Sequence, residues 1–265
     1  MSSTTARMTS ATQQPAGITT LDAGSIAKLD HAEAMDLAET EFARTVDILQ
    51  QLSPHDWELP TVCPLWNVRS MAAHVVGMAQ AQASFRQFAH DFRAARKRSG
   101  GAMIDAMNAS QVRDRAELTP DQLMVGLASV AAKAVRARRR TPGLMRRMVR
   151  IRQDPPFAAE RWQYGFLVDT IFTRDTWMHR LDISRATERD MVVTAAHDGR
   201  LVADVVGEWA RRHGQPFTLV LTGSAGGRWH AGDGGEVIEL DALDFCWTLA
   251  GRAPGRGLLT TPVPF

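Results

Sequence analysis

The stretch TRDTWMHRLDI, Thr173–Ile183, decides how the chain is read. It contains neither Gly nor Pro, and its residues recur at helical spacing. Asp175 and His179 stand four apart, so they lie on one helix face, one turn from each other, and Asp182 continues that face. Val168, Ile171 and Met178 share the stripe, which turns the polar groups toward a packed interior. A carboxylate and an imidazole on such a stripe need partners, because unpaired buried polar groups are costly. The segment therefore predicts a long helix, from about 158 to 186, packed against other helices that supply those partners.

Working outward, other helices are legible. From 27 to 52 the positions Met35, Ala38, Phe42, Val46 and Leu49 repeat at helical spacing. Pro54, Pro60 and Pro64 then oppose helix continuation. Asn67 is placed to cap a helix whose stripe holds Val68, Met71, Val75, Met78, Gln82 and Phe85, running toward Arg98 until Ser99-Gly100-Gly101 breaks it. A shorter helix follows from 102 to 115, and Thr119-Pro120 opens another that reaches about Arg140. The first 180 residues are thus expected to be helical and free of strands, and a four-helix bundle with additions is the natural packing. After Arg189 the pattern changes. A helix over 201–212 is followed by a strand, Phe217–Thr222, with Phe217, Leu219 and Leu221 on its apolar face. Arg228-Trp229-His230 begins a second strand, and Gly232-Asp233-Gly234-Gly235 reads as a hairpin leading into Val237–Leu240. Asp241 caps a last helix, with Gly251 at its C-cap. The organisation expected is a tail over 1–26, a helical bundle over 27–189 and a small α+β domain over 190–265.

His74, between Met71 and Met78 on the apolar side of its helix, completes a candidate cluster. Two imidazoles and one carboxylate from facing helices make the three-ligand pattern of a catalytic zinc site, with a fourth position left for water or substrate. The same donors suit non-haem Fe(II) or another divalent ion. Asp182 or Asp169 could orient a ligating imidazole from behind. Spacing alone leaves another reading open: Asp175 and His179 paired along their helix, with His74 a satisfied core histidine.

Composition agrees with a globular chain. Of 265 residues, 45% are hydrophobic and 23% charged, enough apolar material for a sizeable core. No apolar run approaches the length of a membrane span. The N-terminal MSSTTARMTSATQQPAG has no apolar centre, so it reads as a disordered tail rather than a secretory signal. Two separated cysteines, Cys63 and Cys246, make neither a disulfide framework nor a zinc knuckle, which fits a reducing cytoplasm. The net charge of +2 is mild. Basic residues concentrate between Lys133 and Arg152. That stretch reads as a solvated helix end, with a rim for a small anion or a nucleic-acid or membrane surface as the other readings. No standard nucleic-acid motif accompanies it. Nor is there a GxSxG, Walker A or GxGxxG motif to support a hydrolase-triad, NTPase or Rossmann reading. Cys63 reads as a small apolar residue of a loop, and Trp66, Trp177 and Trp247 read as core.

Three segments in order carry a family resemblance. CPLWNVRSMAAHVVG (63–77), RDTWMHRLDI (174–183), and LTGSAGGRW (221–229) with LAGRAPGRGLLTTPVPF (249–265) are similar to the mycothiol-dependent maleylpyruvate isomerase family, within the wider DinB-like group of metal-binding bundles. The resemblance implies a DinB-like four-helix bundle followed by a sterol-carrier-like α+β domain. It implies a divalent metal, most often zinc, on His74, Asp175 and His179. It places Arg252 in an arginine region of the interdomain active site, as the candidate catalytic residue. It implies mycothiol as a thiol cosubstrate, and isomerisation or S-transfer on a small anionic electrophile. The chain departs from the family at two points. Asp175 stands where the characterised isomerases have Glu, one methylene longer, and Leu65 stands where Gly is frequent. The competing expectation is a non-catalytic protein of the same fold that binds a metal or an apolar ligand.

Overall fold

The computed structural model describes residues 19–97 and 102–265. In chain order the elements are β1 (Leu21–Asp22), α1 (His31–Gln50), α2 (Val68–Ala83), α3 (Phe85–Arg96), α4 (Met103–Arg113), α5 (Pro120–Arg139), α6 (Gly143–Met148), β2 (Arg150–Arg152), β3 (Arg161–Gln163) and α7 (Tyr164–Phe166). They continue with a π-helical turn over Leu167–Ile171, then α8 (Phe172–Thr187), a second π turn over Ala195–Gly199, α9 (Arg200–His213), β4 (Phe217–Thr222), β5 (Gly227–Ala231), β6 (Glu236–Asp241) and α10 (Ala242–Leu249). The chain is mostly helical with a small mixed sheet. No helix among the described residues is long and apolar enough to cross a membrane.

Local chemistry sets the helix starts. Asp30 accepts from the backbone N–H groups of Ala32 and Glu33, Asn67 from Ser70, and Thr119 forms a capping box with Gln122. Ser84 is extended and its hydroxyl caps α3, so the helix expected to run from 68 to 98 is two helices instead. The expected break at Ser99-Gly100-Gly101 lies outside the described residues, as does the expected tail over 1–18. From 19 onward that tail is ordered. Leu21 and Asp22 pair in parallel with Trp229 and His230, and Ala23 is buried. β2 and β3 form a small antiparallel ladder. The expectation of no strand before residue 180 is therefore overturned, and helix resumes at Tyr164 rather than near 158. Alternating Arg-Ile-Arg and Arg-Trp-Gln suit a half-exposed ribbon as well as a helix end, which is why the sequence misleads there.

Helices α1, α2, α5 and α8 pack around Met35, Phe42, Ile48, Leu49, Met71, Val75, Leu123, Leu127, Val168 and Ile183. A second core gathers Leu201, Val205 and Trp209 of α9 with Phe217, Leu219, Trp229 and Ile238 of the sheet and Phe245 of α10. Helix α8 borders both, giving Val168 (in the turn just before it) and Ile183 to the first, and Trp177, Met178 and Leu181 to the second.

The sheet order is β1-β5-β4-β6, with β4 antiparallel to β5 and parallel to β6. The expected hairpin at Gly232–Gly235 is thus a crossover. Ala231 and Glu236 flank Phe217 on opposite sides, so the loop passes over the start of β4. Gly235 has φ +85°, and a Cβ there would lie 2.0 Å from the Pro216 carbonyl oxygen, so only glycine fits this crossing.

Candidate metal centre

Buried ion pairs on both flanks of α8 fix its rotation. Arg174 donates to Asp204 at 2.7 Å and Glu208 at 2.6 Å, and Arg180 to Glu41 at 2.7 and 3.0 Å and Asp198 at 2.7 Å. Both arginines are buried. Just upstream, the guanidinium of Arg138 on α5 holds the carbonyl of Val168 and the hydroxyl of Thr173, taking up a carbonyl at the π turn. The face left between the arginines carries Asp175, His179 and Asp182, and it meets His74 on α2.

The structure brings His74, Asp175 and His179 together, with one ligand atom from each within 4.8 Å of the others. His74 Nε2 stands 3.6 Å from Asp175 Oδ2, and His179 Nε2 stands 3.5 Å from Asp175 Oδ1. Those separations are long for hydrogen bonds. They match the ligand-to-ligand spacing of about 3.3 Å that bonds of about 2.0–2.1 Å make around a tetrahedral zinc. Both nitrogens of His74 and Oδ2 of Asp175 are buried without a hydrogen-bond partner, a costly arrangement that a cation held by His74 Nε2 and Asp175 Oδ2 relieves at those two atoms. Donor set, spacing and orphaned atoms therefore fit a divalent ion. The shorter Asp175 reaches its neighbours from one turn below His179, so the departure from Glu leaves the cluster intact.

Behind the cluster stands a second layer. His179 Nδ1 lies 2.9 Å from Asp182 Oδ2, which fixes the ring and turns Nε2 toward Asp175. Arg252 donates from Nε and Nη2 to both oxygens of Asp182, at 2.6 and 2.8 Å. Arg252 is placed by the end of α10. Its N–H bonds the carbonyl of Trp247 and that of Gly251 bonds Thr248, with Gly251 at φ +75°: a Schellman cap. Arg252, expected as a catalytic residue, thus has its donors on Asp182 and, at 3.5 Å, on the Ala250 carbonyl. It touches the cluster through a carboxylate. Of the two candidates for the orienting acid, Asp169 is elsewhere, bonded to His31 and Arg146.

Charges in the cluster shift one another. Burial raises the Asp175 carboxyl, but the charge on His179 and the nearness of the two imidazoles outweigh it and hold the group well below the usual range. Burial lowers His179, yet Asp175 and Asp182 push it up to about 9. Burial opposes ionisation of Asp182 too, and His179 and Arg252 hold it low. Cys63 stands near this layer, half-buried, its thiol pushed up by burial and by Asp182.

Trp66 belongs to the site. The bridge between Pro60 and Asn67, with the Thr61 N–H and hydroxyl on the Trp66 carbonyl, makes a tight loop. It sets the indole 4.9 Å from the His74 ring and 5.9 Å from that of His179. Trp66 packs against the first core, as expected, and its nearness to the two imidazoles is what the core reading missed. The available signal was its position immediately before the Asn67 cap of the His74 helix. Trp177 and Trp247 are core, as expected, and Trp247 also carries the Arg185 guanidinium at 4.1 Å. A second group, His90, Asp91 and Asp114, also clusters. Its atoms are already engaged, His90 with Asp114 and Asp91 with Gln87 and Gln111, and it ties α3 to α4.

A family model described as the mycothiol maleylpyruvate isomerase N-terminal domain matches residues 38–184, a span that holds His74, Asp175, His179 and Asp182. The chain belongs to that family. Two solved structures share its fold, the mycothiol-dependent maleylpyruvate isomerase and a histidine-to-alanine variant of that enzyme. Their identities to this chain are 17% and 16%, their TM-scores 0.54 and 0.53, and each alignment covers 85% of this chain and 90% of the other. No curated protein matches the sequence. In this member of the family, Arg252 and the strands β4–β6 lie beyond the matched span.

Proposed function

We propose that this chain is a metal-dependent enzyme that uses a low-molecular-weight thiol, mycothiol by its family, for isomerisation or S-transfer on a small electrophile. The observation that carries the reading is the cluster of His74, Asp175 and His179, spaced for an ion and left with buried orphan atoms. In this reading those three side chains hold one divalent ion, zinc by preference for two imidazoles and a carboxylate. When bound, the ion supplies Lewis acidity and lowers the pKa of a coordinated thiol.

The chain's own residues do the rest. Asp182 holds His179 in the tautomer that points Nε2 at the ion, and Arg252 keeps Asp182 ionised and still. Arg252 is therefore assigned as a positioning residue of the active centre. Trp66 covers one side of both imidazoles and excludes water there. We take residues 27–189 as the unit that holds the ion and 190–265 as the unit that delivers Arg252 to it, with cytoplasmic residence inferred from the two unpaired cysteines. The basic groups between Lys133 and Arg152 serve structure in part, since Arg138, Arg139 and Arg146 are committed to contacts of their own.

The test is a titration of mycothiol into cobalt-substituted protein. A sulfur-to-cobalt charge-transfer band in the near ultraviolet supports thiol binding at the ion. With cobalt demonstrably bound, no band at millimolar thiol would leave a non-catalytic metal-binding protein as the better account.

A further inference from the structure

Helix α3 has a face that the metal centre does not use. Phe85, Phe88 and Phe92 stand at i, i+3 and i+7, on one stripe, and are 84%, 44% and 38% exposed. Their rings run in a row, with centroids 6.5 and 6.2 Å apart. Beside the stripe lie Arg86, Arg93, Arg96 and Lys97, all exposed, and none is in an ion pair among the described residues. The one acid of the helix, Asp91, is fully buried, held by Gln87 and Gln111. The formal charges that this 12-residue helix exposes beside its aromatic row are thus all positive, with His90 paired to Asp114.

We infer that α3 docks the protein on an anionic lipid surface, with the phenylalanines entering the headgroup boundary and the four cations meeting lipid phosphates. An apolar stripe flanked by Arg and Lys is the pattern of a helix that lies in the membrane interface. Other occupants fit less well. A second copy would bring four cations against four. The three rings expose only about 250–400 Å², taking about 150–250 Å² for each fully exposed ring, well below the roughly 800 Å² per partner of a stable dimer. Residues 1–18 contain no acidic residue, so that segment offers the cations no partner.

Co-sedimentation of the full chain with vesicles tests the inference. Binding is expected to phosphatidylglycerol vesicles and not to phosphatidylcholine vesicles, and to weaken with added salt. Replacing Arg86, Arg93, Arg96 and Lys97 by Gln should weaken it by about fivefold per cation. Phe85→Ser with Phe88→Ser should reduce it with all cations kept. Every substituted side chain is exposed, and circular dichroism and the thermal midpoint should be unchanged. Four results overturn the inference: no binding to anionic vesicles, equal binding by the four-Gln variant, a dimer of the wild type that the serine variant abolishes, or tighter binding of an oligonucleotide than of the vesicles.

Discussion

Raising the pH should strengthen metal binding and weaken the metal-free fold, because one proton on His179 governs both. In the metal-free protein Asp175 and Asp182 flank that imidazole and push its pKa up to about 9, against about 6.5 for an unperturbed histidine. A folded-state pKa above the unfolded one means the proton stabilises the fold. That contribution is fully present below about pH 6.5 and is lost as the pH rises through about 9. A shift of this size is worth roughly 3 kcal/mol at about 1.4 kcal/mol per unit. A ligating nitrogen must give up its proton, so the ion competes with it. Apparent metal affinity should therefore rise about tenfold per pH unit well below pH 9, or about fiftyfold from pH 7 to pH 9. Competition with a chromophoric chelator across that range measures the affinity, and urea unfolding of the chelator-treated protein measures the stability. Calorimetry at pH 7 in two buffers of different ionisation heat should show about one proton released per ion. An affinity flat from pH 7 to 9, with no proton released, would refute the assignment of His179 as a ligand held charged by its neighbours.

Three further outcomes follow from particular contacts. Asp182→Asn keeps a shape that can accept from His179 but removes the charge that both His179 and Arg252 face, and metal affinity should fall about 10–100-fold; equal affinity by chelator competition would remove Asp182 from the site. Arg180→Ala takes a buried guanidinium from Glu41 and Asp198 and should cost about 3 kcal/mol in urea unfolding, whereas a loss below about 1 kcal/mol would mean that His197 and Arg44 suffice for those carboxylates. Gly235→Ala drives a Cβ into the Pro216 carbonyl and should cost about 1–3 kcal/mol by the same assay, and an unchanged midpoint would show that the β5–β6 loop is free to move aside.

How much of this was legible in the sequence follows from the range of each signal. Periodicity is local, so the stripe through Asp175, His179 and Asp182 and the caps at Asn67, Thr119 and Asp241 were readable without a structure. The pairing of α2 with α8 was legible only because His74 sits among methionines on an apolar face. Sheet order was not legible, since Gly232–Gly235 satisfies a hairpin and a crossover equally, and only the position of Pro216 beneath Gly235 selects one. Leu21 and Asp22 carry no strand pattern in two residues, and the edge of β5 alone makes them a strand. The role of Arg252 depended on Asp182, 70 residues earlier. The network of Glu41, Arg180, Asp198 and His197 joins three separate segments, so no spacing rule could reveal it.

Whether His74, Asp175 and His179 hold an ion decides the proposed function most directly. Elemental analysis of protein purified without chelator should find about one divalent ion per chain in the wild type. It should find none above background in folded His74→Ala and His179→Ala variants, because removing one of three ligands leaves too few to retain the ion. A wild type that stays metal-free after incubation with zinc, or alanine variants that keep a full equivalent, would contradict it.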